Sequence, residues 1–160
     1  MGDLAEFSLP VRLFLRAYRW RVIDPVPWAP LRLPLAQARL ALVSSAGFVL
    51  PGQARFDESL RGGDPSFREI AFDSEPSTLI DTHKSESFDH SAMRLDPNLA
   101  FPLERVRELA AAGRIGAVNH RHWSFIGSLT APGRFVAESL PRLAAAAVAD
   151  GVAAALFVPV

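Results

Sequence analysis

All four histidines fall in two short stretches, each flanked by groups that can exchange protons or coordinate ligands. His83 and His90 lie in the polar segment 82–98, THKSESFDHSAMRLDPN, with Asp81, Asp89 and Asp96 around them. His120 and His122 lie in NHRHWSFIGS, residues 119–128. Imidazole beside carboxylate can bind a divalent metal or move protons near neutral pH, where histidine ordinarily titrates. The spacing fits neither HExxH nor a Cys-His finger, so no metal ligand is assigned. Hydrogen bonding within the loops is the expected use of these side chains. Asp89-His90-Ser91 has the composition of a triad, but sequence neighbours rarely face one another and there is no GxSxG elbow. Serine hydrolase chemistry is not expected. Arg61-Gly62-Gly63-Asp64 lacks the strand and helix that would make it a phosphate loop.

These residues must be positioned by elements around them. Arg39 to Ser45, RLALVSS, is a continuous apolar run, the pattern of a strand covered on both faces. It ends in Ser44-Ser45-Ala46-Gly47, small residues that permit a tight turn or close ligand approach. Residues 51–65 form a long polar loop rich in Gly and Pro. Strands are expected at Phe67–Phe72 and Ser77–Asp81. Pro102 to Gly113 carries a helix start and stop, with Val106 and Leu109 on one face. A second helix runs from Pro132-Gly133 to about Asp150, kinked or split at Pro141. VAAALFVPV, residues 152–160, is expected as a final buried strand. Upstream, Val11–Trp20 reads as a short helix, and four prolines from Pro25 to Pro34 hold the chain extended. The fold expected is α/β: a mostly parallel sheet with flanking helices, residues 39–160, behind a helix and proline-rich arm, residues 1–38.

The chain has 160 residues with 49% hydrophobic and 21% charged, the balance of a globular domain. Seventeen basic and seventeen acidic side chains cancel, so no field draws nucleic acid or an anionic membrane, and neither partner is expected. There is no cysteine, which excludes thiol catalysis and thiolate metal sites within these residues. Acidic residues precede the first apolar run, the reverse of a secretory signal, and a cytoplasmic protein is expected.

The stretches LVSSAGFVLPGQ, DTHKSESFDHSAMRLDPNLAFPLERVRELAAAGRIG and RHWSFIGSL, in this order and spacing, resemble the selenoprotein B family of the glycine, sarcosine, betaine and D-proline reductases. The resemblance runs from about Arg39 to Val160. It implies a reductase subunit that cleaves a C–N bond of a small amino acid or methylated amine, alongside other reductase subunits. It also implies a redox motif that opens with selenocysteine or cysteine after the strand ALFVPV. These 160 residues contain neither, so selenocysteine or cysteine is expected immediately after Val160, in a domain incomplete at its C-terminus. A UGA codon there is the leading expectation, with a shortened chain of a cysteine-type relative and a natural member that has lost redox chemistry as the alternatives. An apolar strand left without its following half makes a homo-oligomer plausible.

Under this resemblance, His83, Asp89, His90 and His122 are the candidates for catalysis, with imidazolium protonating the departing amine and Asp orienting it. Ser44, Ser45 and Ser124 are the candidates for binding substrate. Two alternatives stay open. A redox-free protein could bind a small amine, with Trp123 and Phe125 giving cation–π contacts. A metal-dependent enzyme could use His83, His90 and His122.

Overall fold

A computed structural model describes residues 5, 7–18, 22–57, 59–83 and 90–160. The chain forms two compact units, Met1–Pro30 and Leu31–Val160. The first contains helix α1, Leu9–Ala17, with Pro10 in its first turn. There proline lacks only an N–H that would have no partner inside the helix.

The second unit is α/β. Strand β1, Arg39–Ser44, is central. On one side it pairs in parallel with β7, Ala154–Val158. On the other it pairs in parallel first with β5, Ala117–Val118, and then with β6, Arg121–Phe125. Strand β3, Phe67–Ala71, closes that side antiparallel to β6. A separate antiparallel pair joins β2, Phe48–Val49, to β4, Ile80–Asp81. The expected parallel core is therefore present, but the sheet is mixed and its small neighbour is wholly antiparallel.

The apolar run of β1 is continuous because each face meets a different layer. Leu42 packs with Phe48, Ile70, Phe101, Leu103 and Val106, the last two on helix α3, Leu103–Ala111. Ala41 and Val43 turn the other way, onto Trp123 and onto Leu143 of helix α4, Leu140–Ala149. A π-helical turn, Phe135–Ser139, leads directly into α4, so the expected split falls beside Pro141. Proline there needs no intrahelical donor. A short helix α2, His90–Leu95, stands within the polar segment.

The final strand is not buried. Leu156 and Phe157 of β7 are exposed, because among the described residues β7 pairs with β1 alone. Apolar sequence signals a strand's preference for cover, and cannot say whether both faces receive it.

Candidate functional site

The carboxyl end of β1 is the structural centre of the site. Ser44 donates its hydroxyl to the Ala100 carbonyl at 2.6 Å and accepts from the Ala46 N–H at 3.1 Å. Ser45 works on the neighbouring strand: its Oγ accepts the Val160 N–H at 2.8 Å and faces the Val160 carbonyl at 3.3 Å. The Ser45 N–H also donates to the Val158 carbonyl at 3.1 Å. The Ser45 hydroxyl thus pins the chain that leaves β7 to the chain that leaves β1, while the Ser44 hydroxyl ties the end of β1 to Ala100. Beside them, Val43, Ser45, Phe125, Phe157, Val158 and Pro159 line an apolar groove of about 300 Å³.

Gly47 then turns the chain into β2 with φ +69°, a region where a side chain is strained. A Cβ on Gly47 would also lie 3.2 Å from His83 Cβ. Thr82 donates both its hydroxyl, at 2.5 Å, and its N–H, at 3.3 Å, to the Gly47 carbonyl. This close approach seats the start of the polar segment directly on the turn that follows β1.

Asp81, at the end of β4, organises what comes next. Its Oδ1 accepts the His83 N–H at 3.0 Å. Its Oδ2 accepts from Nδ1 of His90 at 2.6 Å and from Nε of Arg94 at 3.1 Å, with Arg94 Nη2 in ion-pair contact at 3.1 Å. The Asp81 side chain is only 3% exposed, whereas that of Arg94 is 66% exposed. A buried carboxylate needs such partners, because desolvation would otherwise penalise its charge. A carboxylate at Nδ1 favours the tautomer that keeps its proton there and leaves Nε2 as the basic nitrogen. The His83 and His90 rings lie 6.3 Å apart, and His83 is buried.

His122 has a different environment. It is fully buried on β6, and its Nδ1 accepts the N–H of Leu42 at 3.1 Å. The parallel ladder beside β1 is interrupted at Asn119 and His120, between β5 and β6, and the imidazole supplies the acceptor missing from the break. Nε2 consequently carries the proton; it has no hydrogen-bond partner among the described residues and sits in a T-shaped pair with Phe101. Burial, then the nearby charges of Arg107 and His120, push the imidazole down to about 4, so it is neutral at ordinary pH. The same break is tied to the end of α4. Arg121 donates to both oxygens of Asp150 at 2.8 Å, and Asn119 Nδ2 adds a bond at 2.9 Å. The Arg121 guanidinium, then Asn119, hold the Asp150 carboxyl down to about 2.

Of the residues singled out by sequence, the structure brings His83 and His90 together over Asp81. Ser44 and Ser124 stand in register on β1 and β6, with the Ser124 hydroxyl buried and unbonded among the described residues. Asp89 lies outside the described residues. Trp123 is fully buried against α4, so its ring belongs to the core, while Phe125 does reach the groove. Among the described residues no three His, Asp or Glu side chains are grouped to hold a metal. Nor is any helix among them long and apolar enough to cross a membrane. Asp81 stands in the sequence reading only as one of three carboxylates near the histidines, and Arg94 is absent from it. The available signal was spacing: His90 and Arg94 lie four apart on one helical face, and a carboxylate precedes them.

Comparison with known proteins agrees with this picture in part. No protein-family profile matches the chain, and no solved structure does. Over 136 residues, 85% of its length, the chain is 30% identical to the D-proline reductase subunit gamma of Acetoanaerobium sticklandii. Those residues cover 54% of that protein, so the chain spans about half the length of the curated relative that it matches, and it is related to a reductase subunit at that distance.

Proposed function

We propose that the chain is part of a subunit of a reductase complex of the selenoprotein B type, which cleaves a C–N bond in a small amino acid or methylated amine. The observation that carries this reading is the 30% identity to a D-proline reductase subunit along 85% of the chain. The fold supports it. Open α/β sheets take ligands beyond the carboxyl ends of their parallel strands, and the Ser44–Gly47 turn, the Ser45–Val160 clamp and the Asp81–His90 pair lie at or against the end of β1.

Reductive cleavage of a C–N bond consumes two electrons and two protons: nitrogen gains one hydrogen and carbon gains the other. In this reading His90 delivers the proton to the departing nitrogen from Nε2, and Asp81 fixes the ring that delivers it. The electrons come through a selenol or thiol. None of the 160 residues is a cysteine, and the reading places that group directly after Val160, whose backbone Ser45 grips.

The test begins with the source DNA through and beyond codon 160. The expected result is an in-frame UGA or cysteine codon opening a redox motif. The full reading frame, expressed with selenocysteine insertion and its partner subunits, should then release an amine or open a ring from glycine, sarcosine, betaine or D-proline under a dithiol reductant. A stop codon with no frame beyond it, or cleavage of none of the four, would overturn the reading.

A further inference from the structure

We propose that Arg94 is the residue of this site that recognises a ligand carboxylate, presented by Asp81. That the carboxylate belongs to a small amino acid rests on the function proposed above; the assignment of Arg94 is what is tested here. Three observations carry the assignment. First, the serine hydroxyls at the end of β1 are already engaged: Ser44 with the Ala100 carbonyl and Ala46 N–H, Ser45 with the backbone of Val160. Second, Asp81 takes Arg94 along the edge formed by Nε and Nη2, both on one carboxylate oxygen. A guanidinium is a rigid plane with a second edge, Nη1 and Nη2, whose spacing matches the two oxygens of a carboxylate. Third, Arg94 is 66% exposed while the carboxylate that anchors it is 3% exposed. Most exposed Arg–Asp pairs are loosely held at both ends. Here one end is fixed inside the protein and the other faces solvent.

The arrangement places a fixed cation four residues along α2 from His90, with one buried carboxylate steering both. A ligand carboxylate on the outer edge of Arg94 would leave the rest of the molecule within reach of the His90 ring. Asp81 is thus a positioning residue, and Arg94 is the one that touches ligand.

The experiment is ligand-dependent thermal stabilisation of the chain at constant ionic strength, because a ligand that binds only the native state raises its melting temperature. The probes are acetate, glycine, proline and pyrrolidine, with sodium chloride as the control. The expected result is stabilisation by the three carboxylates and none by pyrrolidine or chloride. Arg94→Gln should weaken carboxylate binding roughly tenfold to a hundredfold, the loss expected of hydrogen bonds to a charged group. Arg94→Lys should retain part of it. Because Arg94 is exposed, neither variant threatens the fold. Equal stabilisation of wild type and Arg94→Gln, no stabilisation by any carboxylate, or equal effects of proline and pyrrolidine would each overturn the proposal. If acetate binds in an Arg94-dependent manner and the amino acids bind no better, the Arg94 assignment stands and the amine-cleaving function does not.

Discussion

The two histidine-bearing segments look alike in sequence and are put to opposite uses. In one, His90 sits on a short helix with its Nδ1 on a buried carboxylate and an exposed arginine beside it. In the other, His122 is sealed in the sheet, neutral, and spends its Nδ1 on a backbone N–H of β1. In the function proposed, the first exchanges protons and meets a charged ligand. The second stands in for a carbonyl. Histidine alone therefore signals little about function; what its Nδ1 bonds to separates a working imidazole from a structural one.

The most severe way to break this comparison is to remove the structural member. His122→Ala would leave the Leu42 N–H without an acceptor and open a cavity beside Phe101. Together these should cost about 3–5 kcal/mol. Urea denaturation measures it. A loss below about 1 kcal/mol would mean that the ring is not completing the ladder.

The pH dependence sharpens the same point. An unfolded chain protonates His122 near 6.5, whereas the folded protein resists until about 4. Between those values the unfolded state binds more protons, so stability is full above 6.5 and falls as pH drops toward 4. At about 1.4 kcal/mol for each pH unit, the total is roughly 3 kcal/mol. His122→Asn, which keeps an acceptor without a titrating ring, should flatten that slope. Denaturation midpoints collected from pH 7 to pH 4 decide it, and an unchanged slope in the variant would assign the effect elsewhere.

These two roles differ in how far they could be read beforehand. Strand β1 and helix α3 were legible because their signals are local: a continuous apolar run ending in small residues, and a proline-to-glycine bounded helix. Pro141 likewise marked the break before α4. The use of His122 was not legible, since its partner Leu42 lies 80 positions away and the ladder break that requires it exists only in the assembled sheet. Asp81 is visible as a carboxylate beside the histidines, but its organising role is not legible for a related reason. It stands outside the polar segment it organises, at the end of a two-residue strand that exists through pairing with β2. The serines were legible as a feature of the strand end, but their hydroxyl partners, Ala100 and Val160, come from chain 56 and 115 positions away.

Gly47 connects the sheet to the cluster, and replacing it tests that connection at smaller cost. Gly47→Ala forces a side chain into φ +69° and against His83 at 3.2 Å. The expected loss is about 1–2 kcal/mol, together with a shift of the His83 ring resonances and little change at His122. Calorimetry and imidazole NMR report the two parts separately. Perturbation of both rings would show that the regions are coupled rather than independent.

A modest stability effect is expected where the functional effect should be greatest. Asp81→Asn keeps an oxygen for the His83 N–H but replaces the buried oxygen shared by His90 and Arg94 with an amide donor, so it should cost about 1–3 kcal/mol. It should nevertheless free the His90 ring to take either tautomer and release Arg94 from its anchor. Carboxylate binding should weaken and the Nδ1 proton of His90 should exchange faster, while the His122 resonances stay in place. A variant that lost several kcal/mol without altering His90 would make Asp81 a structural residue, and the two histidine regions would then differ in burial but not in purpose.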